Sequence, residues 1–119
     1  MTSSKRFGRL YRFDKAEIDK YISAEGGNYR LGVLDDDGNF IVTYVGRAQD
    51  LEKRLKEHDN DPHYYEYFSV RYEPNELRRY YIECREYHYW RKKFPLYNKN
   101  HPAKPACCDD KYTCPDCGR

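Results

Sequence analysis

The 119-residue chain carries 22 Lys and Arg against 20 Asp and Glu, a formal net charge of +2, which excludes the strongly basic footprint of a sequence-independent DNA binder. With 39% apolar residues, 14 Tyr, 5 Phe and 1 Trp, it is expected to form one domain with a thin aromatic core. No apolar run is long enough to span a membrane and the N-terminus has no signal-peptide h-region, so an intracellular protein, cytoplasmic or nucleoid-associated, is expected. In that setting five cysteines point to thiols or metal before disulfides. Basic residues cluster at Lys5, Arg6, Arg9 and Arg12, and again at Arg91, Lys92 and Lys93.

Residues 1–25 read as an N-terminal helical extension. Asp14 is placed to cap a helix that runs to about Ser23, with Ile18, Tyr21 and Ile22 at helical spacing. Glu25-Gly26-Gly27 ends it, and the run from Gly27 to Gly46 reads as a hairpin turning at Asp35-Asp36-Asp37-Gly38. A four-residue loop pairs Leu34 with Asn39 and sets Tyr29 opposite Tyr44, whereas a two-residue Asp37-Gly38 loop shifts the register by two. Both registers leave the two phenols on one face, because strand side chains alternate. Leu31, Val33, Phe40 and Val42 are expected on that face, with Ile41 and Val45 on the other. A sheet apolar on both faces calls for helices on both sides.

After Gly46 a helix begins near Gln49 or Asp50, and Leu51, Arg54, Leu55 and His58 form one stripe. Arg54 and His58, one turn apart at the edge of that stripe, are placed either to face a phosphate or, more simply, to pair with a carboxylate and to end the helix near its negative pole. A third strand follows Pro62, and Asn75 caps a helix to about Lys92. Leu77, Tyr81, Cys84 and His88 make one stripe of that helix, and Tyr80, Glu83, Tyr87 and Trp90 its neighbour. Cys84 reads as a small buried hydrophobe and His88 as a core-edge histidine. A carboxylate at Glu83 among aromatics needs a partner, either an ion pair with Arg54 or Arg79 or a divalent cation. Beyond Pro95, Leu96-Tyr97-Asn98 lays a short segment back on the domain. The expected fold is an α/β (α+β) sandwich, a three-stranded antiparallel sheet over about 28–34, 40–45 and 65–72 flanked by helices.

Gly27-Asn28-Tyr29, then Tyr44-Val45-Gly46, then Arg54 ten residues after the second tyrosine, His58 four later, a helical Glu83, and Asn98 fifteen beyond it together resemble the GIY-YIG nuclease family. The resemblance spans roughly 26–101, with Asn28 standing where the family has an aliphatic residue and a slightly long hairpin between the motifs. It implies hydrolysis of DNA phosphodiesters by an endonuclease, with RNA left open as a partner. In that scheme Glu83 holds one Mg2+ or Mn2+ and Arg54 stabilises transition-state charge. Tyr29 activates water, Tyr44 and His58 hold or relay the proton, and Asn98 orients the glutamate and substrate loops. Two other readings share the sequence: a catalytically silent nucleic-acid-binding module, and a zinc-dependent interaction module.

Residues 102–119 read as a separate zinc knuckle. Cys114-x-x-Cys117-Gly points two thiolates at one ion, and Cys107 and Cys108 complete a closed four-thiolate structural site, with His101 as the alternative fourth ligand.

Overall fold

A computed structural model describes residues 6–105 and 113–118. The elements run β1 (Tyr11–Arg12), α1 (Lys15–Tyr21), β2 (Gly27–Leu34), β3 (Phe40–Ala48), α2 (Leu51–Glu57), a single 3-10 turn (His58–Asn60), β4 (Tyr67–Tyr72) and α3 (Glu76–Arg91). One antiparallel sheet has the order β1-β4-β2-β3. It therefore has four strands where three were expected; the extra strand is two residues at the edge of β4, too short for alternation to register. Each helix begins where a short polar side chain accepts from the backbone three residues on: Asp14 from Glu17, Asp50 from Lys53 and Asn75 from Arg78.

The hairpin differs from both expected loops. The Asp35 and Gly38 amides bond to the Asn39 and Asp35 carbonyls, and Gly38 takes φ +83°. The loop is thus the three residues 36–38 with a glycine in the left-handed region, a conformation that costs glycine least. The Asp35 carboxylate accepts from the Asp37 and Asn39 amides and fixes the turn from within.

A second irregularity has larger consequences. Near its glycines the hairpin pairs Tyr29 with Gly46 and Leu31 with Tyr44, but Gly32 pairs with Val42, so Thr43 is an extra residue in β3. This bulge moves the β3 residues between it and the turn to the opposite face. Tyr29, Leu31, Phe68 and Val70 pack against Ile18 and Ile22 at α1 and Leu51 and Leu55 of α2. Val42, expected beside the tyrosines, instead joins Val45 and Tyr87 on the α3 side, with Phe40, Trp90 and Leu96 around them. The bulge also leaves the Thr43 carbonyl free to accept from the Tyr97 amide at 2.7 Å, which docks the chain after α3 along the edge of β3. Among the described residues no helix is long and apolar enough to cross a membrane.

Candidate active site

The bulge leaves Tyr29 and Tyr44 on one face as diagonal neighbours rather than an opposed pair, their rings stacked with centroids 6.2 Å apart. Tyr29 faces Gly46, and a Cβ at that glycine would lie 2.3 Å from the Tyr29 hydroxyl oxygen and 2.4 Å from its Cζ. The glycine of the Tyr44-Val45-Gly46 run is thus the space into which the first phenol fits. α2 leads from β3 across this face, and the turn that ends it brings His58 against both rings, 5.2 Å from Tyr29 and 4.8 Å from Tyr44 between centroids.

Tyr29, His58 and Asp61 form a hydrogen-bonded chain. His58 Nδ1 lies 2.7 Å from the Asp61 carboxylate and Nε2 lies 2.6 Å from the Tyr29 hydroxyl. A neutral imidazole donating from Nδ1 leaves Nε2 as acceptor, so the Tyr29 hydroxyl donates. Burial lowers the His58 pKa against the opposing pull of Asp61, which keeps the ring neutral at pH 7. Burial, and then Tyr44, push the Tyr29 phenol far above its ordinary value while Arg54 opposes them. For Tyr44 burial again raises the pKa and Arg54 again opposes. Tyr65 adds a 3.3 Å hydrogen bond to Asp61.

Tyr44, Arg54, His58, Glu83 and Asn98 line one open cavity of about 480 Å³. Tyr29 is covered, at 1% exposure. Five of the six residues singled out in the sequence therefore meet at one surface, with the sixth one hydrogen bond behind it. Arg54 pairs with Glu57 at 3.2 Å on the exposed side of α2, as the simpler reading of its helix allowed.

Glu83 reaches the cavity from α3, 12% exposed at its side chain. Its ion-pair partner is Arg47, neither Arg54 nor Arg79. The other Arg47 nitrogen donates to the Ala103 carbonyl at 2.5 Å. Burial raises the Glu83 pKa and Arg47 opposes the rise. Arg79 is buried and donates to the Glu73 and Pro74 carbonyls at the start of α3. Asn28 is fully buried, and its amide donates to the Arg79 carbonyl at 2.9 Å and the Gly46 carbonyl at 3.4 Å. The polar residue at this motif position thus ties β2 to α3 where an aliphatic one would only pack.

Asn98 is held by a two-way amide clamp. It accepts from the Val45 amide at 3.0 Å and donates to the Val45 carbonyl at 2.8 Å. It mimics one more residue of an edge strand and fixes the cavity wall beside Tyr44. His63 stacks on Tyr97 in the same wall, centroids 3.8 Å apart.

Beside this cavity, whose lining includes His101, the side chains of His88, His101, Cys114 and Cys117 bring four potential metal-ligating atoms within 4.8 Å of one another. Cys107 and Cys108, expected as ligands, lie outside the described residues. The expected alternative His101 is in the cluster, and His88, read from the sequence as a core-edge histidine, is in it as well.

Three participants escaped the sequence reading. Asp61 follows His58 by three, and Arg47 follows Val45 by two on the face that α3 covers; neither offset carries a signal of its own in the sequence. His88 follows Cys84 by four on α3, a spacing shared by core and ligand helices alike.

The family model of the GIY-YIG catalytic domain matches residues 26–100. Neither curated proteins nor solved structures give a match. The matched span holds both tyrosine-glycine motifs, Arg54, His58, Glu83 and Asn98, and of these Tyr44, Arg54, His58, Glu83 and Asn98 line one cavity. The chain belongs to the GIY-YIG catalytic-domain family, whose members are generally endonucleases.

Proposed function

We propose that the protein is a metal-dependent endonuclease that hydrolyses phosphodiester bonds of DNA in the cavity between α2, α3 and the 97–103 segment. The observation that carries this reading is the meeting of a carboxylate, an arginine and a phenol with a neutral histidine in one open cavity. Phosphodiester hydrolysis needs a water stripped of a proton and an opposed negative charge on phosphorus, and these groups supply both.

The donor set fits one hard divalent cation. Glu83 is the carboxylate available to it, since Asp61 is committed to His58 and Tyr65. One protein carboxylate, completed by phosphate oxygens and water, suits Mg2+ or Mn2+. When bound, the cation supplies Lewis-acid stabilisation of the charge that grows on the phosphate. Arg54 offers a planar fork to the phosphate from the cavity edge. Of the two motif phenols Tyr44 is the one that lines the cavity, so we assign it the attacking water; burial raises its pKa and Arg54 beside it opposes that rise. Tyr29, expected from the sequence to be the base, is buried behind it and instead fixes His58 through Nε2. His58 is neutral, and its one acceptor, Nε2, is filled by the Tyr29 hydroxyl, so it receives or relays the proton through Tyr29.

A silent binding module or a scaffold would leave this set without work. Incubation with labelled duplex, branched and single-stranded DNA, and with RNA, in Mg2+, Mn2+ or EDTA tests the reading. Cleavage that EDTA stops supports it. A gel shift with no cleavage of any substrate would replace it with the binding module.

A further inference from the structure

The last turns of α3, the segment after it and the C-terminal Cys-x-x-Cys converge beside the active-site cavity, whose lining includes His101. We propose that His88, His101, Cys114 and Cys117 bind one structural zinc ion that staples the C-terminal segment to α3 and holds the wall of the active site.

The geometry suits zinc. Tetrahedral zinc, with bonds of about 2.0 Å to nitrogen and 2.3 Å to sulfur, spaces its ligand atoms about 3.3–3.8 Å apart. The four candidate atoms all lie within 4.8 Å of one another, and His101 Nε2 is 3.4 Å from the Cys117 sulfur. His101 Nδ1 faces the Pro102 carbonyl at 3.0 Å. Donation there fixes the tautomer and leaves the Nε2 lone pair for a metal, the arrangement in which ligating histidines are held. His88 Nε2 is buried with no hydrogen-bond partner among the described residues, a cost that a metal bond would remove.

The Cys pair has the shape of a knuckle. Residues 115–117 turn, the Gly118 amide returns to the Cys114 carbonyl at 3.0 Å, and Gly118 takes φ +76°. The amides of Asp116 and Cys117 are directed at the Cys114 sulfur, as backbone donors support a thiolate. Cys114 is buried against Cys84 and Tyr80. A redox Cys-x-x-Cys pair would have no need of two convergent imidazoles, one of them unpartnered.

The ligands place the site in the architecture. His88 follows Glu83 by five residues on α3, about 7.5 Å along the helix axis. His101 lies in the segment whose Ala103 carbonyl holds Arg47, and Arg47 holds Glu83. Tyr97 and Asn98 already bind β3 through Thr43 and Val45. Zinc would fix the far end of the same segment, so that the wall is held at both ends.

The test is metal content and X-ray absorption at the zinc edge of the purified full chain. One zinc per chain with two sulfur and two nitrogen neighbours is expected. His88→Ala should lose the zinc, His88→Cys should keep it with three sulfurs, and the double variant Cys107→Ser, Cys108→Ser should keep it unchanged. Trypsin should cut after Lys99 at least tenfold faster in the zinc-depleted protein than in the loaded one. Absence of zinc overturns the proposal. Four sulfur neighbours in the wild-type protein, which needs no variant to fold, would overturn the ligand set in favour of Cys107 and Cys108. Equal trypsin rates with and without zinc would overturn the role in the wall. None of these measurements depends on DNA cleavage, so the site stands or falls apart from the nuclease reading.

Discussion

The Tyr29 hydroxyl donates to His58 Nε2 across 2.6 Å while Asp61 holds the other ring nitrogen. Removing that donor should leave a buried acceptor unpaired, which costs about 1–3 kcal/mol. Tyr29→Phe is therefore expected to lower the urea midpoint and reduce cleavage, whereas Tyr44→Phe should abolish cleavage with little loss of stability. Denaturation and cleavage measured side by side separate the two. If Tyr29→Phe is silent while Tyr44→Phe cleaves, the assignment of the water to Tyr44 fails.

Gly46 offers a stricter test of the packing. A methyl there would sit 2.3 Å from the Tyr29 oxygen, so Gly46→Ala must displace the ring, and over-packing of this kind costs about 1–3 kcal/mol. Cleavage should fall with stability, and Tyr29→Phe should rescue little, because the Cζ contact at 2.4 Å remains. Gly38→Ala meets no atom within 4 Å but must hold φ +83°, so it should cost stability and leave cleavage by the folded protein intact.

The fold was readable where one rule sufficed and not where two competed. Asp14, Asp50 and Asn75 announce their helices through capping alone. The sharing of one face by Tyr29 and Tyr44 survives any even shift of register. The bulge at Thr43 was hidden because Phe40, Ile41 and Val42 are all apolar, so no polar residue marks which side faces out. The residues that meet at the cavity were readable through the motif, but the bonds that hold them were not. Asn98 was expected to orient the glutamate and substrate loops, and the bonds it makes to Val45 could not be read from its position. Glu83 looked in need of an arginine, and the one it found, Arg47, arrives from β3 by a pairing that only the folded sheet supplies.

His58 makes stability depend on pH with a definite sign. Its folded pKa lies below the ordinary value of about 6.5 because burial disfavours the charged ring. A base with a depressed folded pKa contributes stability that is fully present above the unfolded pKa and is lost as pH falls through the folded one. Urea midpoints should be flat from pH 8 to about 7 and drop below about 6.5. His58→Gln should flatten that drop. An unchanged slope in the variant would show that other groups carry it.

Arg54→Ala should slow cleavage on the order of 10²-fold, as loss of a charge-stabilising donor does. The fold should persist, since the pair with Glu57 is exposed on both sides and surface pairs contribute little. A steady-state comparison at fixed salt checks this, and a rate within a few-fold of wild type would remove Arg54 from the transition state.

Glu83 bears the central claim, that a single carboxylate on α3 recruits the cation on which hydrolysis depends. Its buried oxygen is already met by Arg47, so replacing the charge with an amide of the same shape should leave the domain folded. The decisive measurement is cleavage of labelled DNA by wild type and Glu83→Gln in Mg2+ or Mn2+, with binding followed by gel shift and folding by circular dichroism. Wild type is expected to cleave and EDTA to stop it, while Glu83→Gln should bind DNA at least as tightly and cleave none. A folded Glu83→Gln that cleaves as fast as wild type would contradict the claim.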